Sequence, residues 1–411
     1  MRTLVTLGFT SLLLISQSLL ATNLVDEKNG FKTTLVKMEQ EKNQFPTPPN
    51  NDVSLIKFDT AIGQMSAFIT NVKTTSKSKK YPAIIWLSGG FPSGGASESL
   101  WEERPVDNDQ SAKSYLTKDM VMMIPSFRGS FSNPGYQENF LGEVDDVLAA
   151  LDYLLSLEHV NHNKIYLAGH STGATLALLV AASTDKFNGV FAFGPVADPK
   201  NYGRNTQLHD TSNEKEAYFR APINFLQYIE SDTFIIEGAS GNADSLEAMQ
   251  AKNADSNKHL NFTLIKGADH FSVLHPLNEM LSKTIKSNKV GNLIQKAFDI
   301  FSDKQLKAED SEKLNEIKAR KVDLNKETTL MYTMLSDNKT HLSNAVSDYE
   351  AAGYITANIE LYGESVGVKY YALYVGKSLV PKRKADVFKN SKAVKGISNE
   401  YGLVYMGWDV K

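Results

Sequence analysis

The 411-residue chain contains no cysteine. That one absence excludes disulfides, thiolate metal sites, a cysteine nucleophile and a lipid-modified N-terminal cysteine. A serine or threonine oxygen is left as the nucleophile to look for. An excess of either charge is also missing: 47 acidic residues face 44 basic ones, for a net charge of −3. Nothing in that balance draws the chain towards nucleic acid or anionic lipid, so partners have to be argued locally. Internal repeats and low-complexity tracts are absent too. Long apolar runs are confined to the start, where Met1-Arg2 precedes a run from Leu4 to Leu20 that leads into Ala21-Thr22-Asn23. A short basic start, an apolar middle and a small residue at the cut make the layout of a secretory signal. The run is short for a membrane span and carries Gln17 and several hydroxyls. The expectation is a signal peptide over 1–21 that is cleaved, a periplasmic or secreted protein, and no membrane association afterwards.

What is present supports packed cores: hydrophobic residues make up 42% of a chain long enough for two or three domains. Residues 22–50 are polar and end in Phe45-Pro46-Thr47-Pro48-Pro49, a lead-in with little structure of its own. Val53 to Phe58 and Gln64 to Val72 alternate around Ala61-Ile62-Gly63 and predict an antiparallel hairpin. Strands then alternate with helices, which implies a mostly parallel sheet covered on both faces. The expected strands are Ala83–Leu87, Val121–Ile124, Ile165–Ala168, Val190–Phe193, Thr233–Ile236 and Asn261–Ile265. Glu143 to Leu157 has apolar residues at helical spacing, with acids at its start where they suit the helix dipole. Further helices are expected over Asp244–Lys252 and Leu277–Ser287.

The chemistry points to Gly169-His170-Ser171-Thr172-Gly173, between the apolar strand ending at Ala168 and the apolar helix from Ala174 to Ala182. A serine between two glycines at a strand-to-helix turn is a nucleophile elbow, because the turn is too tight for a side chain on either flank and lifts the hydroxyl clear of the sheet. The alternative is an ordinary glycine turn with a capping serine. A serine hydroxyl needs a base within hydrogen-bond reach and a third group to hold that base. His209, His259, His270 and His275 follow Ser171, and His270 lies just past the C-terminal end of the last strand, where a loop can bring an imidazole over the elbow. His275 is its nearest rival. The acid is expected in the loop after Thr233–Ile236, where Asp244 is the first choice, with Glu237 and Glu247 as alternatives; helix capping is the other role open to Asp244. Oxyanion donors are expected at the backbone N–H of Thr172 and at Gly90 or Phe91 in the loop after Leu87.

The two antiparallel strands, the parallel run and the elbow after the fifth strand resemble the α/β-hydrolase fold over about 51–288. Ser88-Gly89-Gly90-Phe91-Pro92, Arg128-Gly129 with Phe140-Leu141-Gly142-Glu143-Val144-Asp145-Asp146, the elbow, Arg220-Ala221-Pro222-Ile223 and Gly267 to His270 are similar to the catalytic domain of the prolyl oligopeptidase (S9) family. The resemblance implies a serine hydrolase acting through an acyl-enzyme, without cofactor or metal, on a small peptide or ester. The first glycine loop starts with Ser88 where such enzymes usually carry histidine, and Asp244 lies a few residues further from Gly238 than their usual spacing. Only about 30 mature residues precede the domain, too few for a β-propeller. A peptidase is expected first; a carboxylesterase or thioesterase of the same fold, and a catalytically silent binding protein, are the alternatives.

Beyond a charged, helical connector over 289–326, the order strand, helix, strand, strand, helix, strand over 327–411 is that of a ferredoxin-like α+β domain. The expected strands are Thr328–Leu335, Tyr354–Leu361, Val368–Val375 and Leu403–Val410, with helices over Asn338–Ala352 and Lys382–Tyr401. The ending from Asn399 to Asp409 resembles the RraB family, protein inhibitors of ribonuclease E. An exported protein would not meet that enzyme, so the fold is carried over, the inhibitor activity is not, and binding of a protein partner is the expected role.

Overall fold

The computed structural model describes residues 23–72, 76, 78–90, 98–102, 104–203, 206–254, 256–287, 293–365 and 368–411. The expected signal segment and the candidate donor Phe91 lie outside the described residues. The chain divides into two compact units: one runs to Glu237 and includes Asn242–Thr263, the other comprises Gly238–Gly241 and Leu264–Lys411.

The first unit is built on a sheet with the order β1-β2-β4-β3-β5-β6-β7-β8. Its strands are β1 (Val53–Thr60), β2 (Gly63–Thr70), β3 (Tyr81–Leu87), β4 (Val121–Pro125), β5 (Val160–His170), β6 (Gly189–Phe193), β7 (Thr233–Gly238) and β8 (Leu260–Ile265), the last crossing into the second unit. The hairpin β1–β2 is antiparallel, as its alternation predicts, and β2 runs antiparallel to β4. From β4 through β3, β5, β6 and β7 the pairing is parallel. The parallel strands are continuous apolar runs, because helices cover both faces and leave no side for water. Residues Ala83 to Leu87 are all buried.

Helix α1 (Leu24–Glu27) is a single turn in the lead-in. The lead-in is otherwise irregular, yet it is tied down: Thr34 N–H donates to Glu216, Glu41 N–H donates to the Gly129 carbonyl, and Leu35 bridges His209. Helix α2 (Glu143–Ser156) buries Val144, Val147, Leu151 and Leu154 in the core and begins with Glu143, Asp145 and Asp146. Helix α3 (Thr172–Ala181) is apolar all round and buried along its whole length, as expected for a helix enclosed by the fold. Helices α4 (Glu214–Arg220) and α5 (Ala243–Asn253) complete the unit. The sheet order with its antiparallel second strand, and a strand-turn-helix at β5–α3, make this an α/β-hydrolase-like fold.

The second unit holds helices α6 (Leu274–Ser287), α7 (Leu293–Ala319), α8 (Lys339–Ala351) and α9 (Lys384–Glu400), and strands β9 (Thr328–Ser336), β10 (Ile355–Thr356), β11 (Glu360–Ser365), β12 (Val368–Leu379) and β13 (Val404–Val410). Its antiparallel sheet has the order β10-β12-β9-β13, with β11 also paired to β12. Where one strand over Tyr354–Leu361 is expected, two short ones occur. The charged helix α7 is not simply solvated: Leu314 and Ile317 enter the core around Trp408, and buried Asp310 accepts from Trp408 Nε1 (2.7 Å) and Ser391 Oγ (2.8 Å).

Candidate active site

The elbow lies at the junction of β5 and α3. Ser171 has φ 53° and ψ −116°, a strained backbone for a residue with a Cβ, and its side chain makes no capping bond to α3. The capping-serine alternative is therefore set aside. The flanking glycines are forced by close approach: a Cβ on Gly173 would collide with the Leu87 carbonyl, and one on Gly169 with the Gly173 carbonyl. Ser171 N–H donates to the Phe193 carbonyl (2.8 Å), which ties the turn to the end of β6. Gly89 makes room for the nucleophile by having no side chain, since a Cβ there would stand 3.0 Å from Ser171 Cβ.

Gly90 follows with φ 100°, and its carbonyl accepts from Thr172 Oγ1 (3.3 Å). The two described oxyanion candidates, Gly90 and Thr172, are thus brought together beside Ser171. Thr172 is the first residue of α3, where backbone N–H groups have no partner within the helix and the dipole favours negative charge.

Sequence reasoning passed over Tyr202. Val196 N–H donates to Thr175 Oγ1 (3.0 Å), Thr175 Oγ1 donates to the Ser171 carbonyl (3.3 Å), and the Tyr202 hydroxyl shares a bond with Thr175 Oγ1 (2.8 Å). Burial pushes the Tyr202 phenol up; hydrogen bonds with Thr175 and with the Ser171 side chain pull it back, and the charge of Glu237 pushes it up further. Its ring stacks on Phe140 at 6.1 Å.

The acid candidates separate by burial. Asp244 is exposed, in the first turn of α5, and the N-cap position falls at Asn242, whose side chain makes no capping bond. Glu247 is exposed as well. Glu237 is fully buried at the end of β7, and its Oε2 accepts from Asn242 N–H (2.8 Å).

His270 belongs to the second unit and is half-buried. Asp269 shapes its turn: the carboxylate accepts from Phe271 N–H (3.0 Å) and Ser272 N–H (2.8 Å), while Asp269 N–H donates to Ser272 Oγ (2.9 Å). Those bonds hold the Asp269 carboxyl below its usual range. In the same unit Gly238 abuts the backbone of Ala268, where a Cβ would stand 2.6 Å from the carbonyl carbon. His275 lies on α6, 3.7 Å from Glu279. His259 pairs with Asp232 (3.0 Å) ahead of β8. His209 is buried, and burial with the nearby Arg220 lowers it to about 4.

Below the elbow, Arg128 donates to Asp146 through Nε (3.1 Å) and Nη2 (2.8 Å), and to Glu138 through Nη1 (2.7 Å). Burial works against its charge, but these acids hold the guanidinium protonated. Glu143, next to this cluster, has its carboxyl pushed up to about 7 by burial and then by Asp146.

Fold and elbow place the first unit among α/β-hydrolase-like proteins. More narrowly, residues 108–272 match the prolyl oligopeptidase family. Among solved structures, dipeptidyl peptidase 4 of Porphyromonas gingivalis is similar at 16% identity over 57% of this chain and 35% of its own, with a TM-score of 0.46. An acylaminoacyl peptidase of Pyrococcus horikoshii shows 12% identity over 57% of this chain and 41% of its own, with a TM-score of 0.44. An esterase of Pyrococcus furiosus shows 16% identity over 61% of this chain and 97% of its own, at a TM-score of 0.44. The chain spans about two fifths or less of the length of the two peptidases. No curated protein matches it in sequence.

Proposed function

We propose that the chain is a serine hydrolase that cleaves an amide or ester through an acyl-enzyme, first of all a peptidase of the prolyl oligopeptidase kind, with an esterase or thioesterase as the second reading. The observation that carries it is the strained Ser171 at the β5–α3 turn, seated against Gly89, within the segment that matches the family. Ser171 Oγ attacks the carbonyl carbon as His270 takes the hydroxyl proton, and the N–H groups of Thr172 and Gly90 receive the developing oxyanion. Collapse expels the amine or alcohol with that proton, and water then releases the acyl group by the same route in reverse.

For the acid, burial favours Glu237 over Asp244. A carboxylate that orients the base has to be shielded from water to hold it firmly, and Asp244 is exposed. Labelling with a fluorophosphonate probe tests the core claim: the full chain reacts, and Ser171→Ala does not. A chain that stays unlabelled is not a serine hydrolase of this kind.

For the second unit the same reading takes a ferredoxin-like fold, supported by the order β10-β12-β9-β13. The resemblance of its ending to RraB supports protein recognition as its role. Export is part of the proposal as well, and a mature N-terminus at Thr22 by mass spectrometry is the outcome expected from cells that make the full chain.

A further inference from the structure

His270 stands in the loop 266–273 between β8 and α6, and the second unit holds that loop from two sides. One side is the backbone around it: Asp269 accepts from the Phe271 and Ser272 N–H groups, and the Ala268 carbonyl accepts from Ser240 N–H (3.2 Å). The other side is α7. Gly267, at φ 77°, faces Gln305, and a Cβ on that glycine would stand 3.5 Å from both Gln305 Cβ and Oε1. Gln305 is kept in place by its own helix, since its Nε2 donates to Glu309 Oε1 (2.9 Å). Beside it, Lys304 adds its charge to the Ser272 N–H and the other bonds that favour the ionised Asp269 carboxylate.

The same stretch of α7 is gripped by α9 and β13. Lys392 Nζ donates to Asp303 (2.6 Å), Lys307 Nζ lies 4.6 Å from the centre of the Phe388 ring, and Asp310 Oδ1 accepts from both Ser391 and Trp408. Asp310 is only 4% exposed, and its Oδ2 is buried with no partner among the described residues. An apolar residue would avoid that cost. What the carboxylate supplies is register, because a helix turned by one residue, about 100°, would lose both bonds to Oδ1. From Gln305 to Asp310 the helix rises only about 7.5 Å, a length over which it moves as one piece.

We propose that α7 is a positioning brace for the base: the C-terminal domain sets the helix through Asp310, and the helix sets the His270 loop through Gln305. Both are positioning residues, and the domain beyond 327 is thereby a working part of the hydrolase. The effect on catalysis rests on the reading of His270 as the base; the bracing of the loop does not.

The test uses the full chain with Gln305→Ala, Asp310→Ala and Asp310→Asn. The imidazole Cε1–H signal of His270, assigned by its loss in His270→Gln, is followed by NMR beside that of His259, and kcat and KM are measured on a small activated ester. Both alanine variants are expected to shift the His270 signal, leave that of His259 in place and lower kcat about ten-fold at unchanged KM, as a base out of line requires. Asp310→Asn still accepts from Trp408 and Ser391 and is expected to stay within about two-fold of the parent. A purely structural Asp310 would lower the melting temperature and move neither the His270 signal nor kcat. Gln305 is exposed and alanine is the better helix former, so Gln305→Ala folds and decides the matter even where Asp310→Ala does not. An unmoved His270 signal in Gln305→Ala overturns the brace, and so does a shifted signal with unchanged kcat in a chain that is active. Shifted signals in a chain that hydrolyses no ester keep the brace on the loop and remove the base.

Discussion

The Tyr202 hydroxyl stands 2.8 Å from Thr175 Oγ1, one turn along α3 from Ser171. Thr175 has a single proton; given to the Ser171 carbonyl, it leaves Tyr202 as the donor to Thr175, while the phenol also meets the Ser171 side chain. The phenol is thereby a fixed neighbour of the nucleophile. Tyr202→Phe is expected to lower kcat on a small activated ester about ten-fold with little change in KM, since alignment is lost and binding is not. Equal losses in both parameters would assign Tyr202 to the substrate pocket instead.

Ser171→Ala is expected to abolish turnover with the fold intact. Ser171→Gly is equally inactive yet more stable than the parent by about 1 kcal/mol, because glycine adopts φ 53° without strain. Thermal unfolding of the two variants beside the parent gives the comparison.

Glu237→Gln is expected to reduce kcat/KM nearly as far as His270→Ala, and Asp244→Asn to stay within a few-fold of the parent. His275→Ala is expected to be as mild as the latter, given its place on α6 near Glu279. A severe Asp244→Asn with a mild Glu237→Gln would return the acid to Asp244.

Glu143 provides a pH dependence. Its carboxyl titrates at about 7 in the folded chain against 4.5 for a free glutamate. The folded state therefore holds the extra proton between those values. The stability that this gives is fully present below 4.5 and is lost as pH rises through 7, on the order of 3 kcal/mol. Glu143→Gln stays neutral throughout, so denaturant melts should show the variant gaining on the parent between pH 5 and pH 8.5. Parallel curves would mean that Glu143 is already ionised at pH 5.

Trp408→Phe keeps most of the ring packing but withdraws the Nε1 donor from Asp310, whose carboxyl burial already pushes up. A loss of about 1–3 kcal/mol in thermal unfolding is expected.

Much of the first unit is legible in the sequence because its signals are local. Gly169 to Gly173 shows its tight turn in the glycines themselves, and runs such as Ala83–Leu87 are strands by burial alone. The site is less so. Glu237 reads as the polar end of β7, and only the fold shows that it is buried while Asp244 faces water. Tyr202 is 31 positions from Ser171 in a segment without periodicity. Gln137 and Glu143 look like ordinary polar residues, and only the fold shows that they are buried. In α7 the charges mask a signal that was there: Leu306, Leu314 and Ile317 recur at helical spacing and are buried.

Gly89 leaves room for the nucleophile only by having no side chain, since a Cβ there would stand 3.0 Å from Ser171 Cβ. Together with Gly169 and Gly173, whose added carbons would strike backbone, it makes a fence of bare positions around the elbow. None of the three can acquire even a methyl group without shifting the turn that carries the attacking atom.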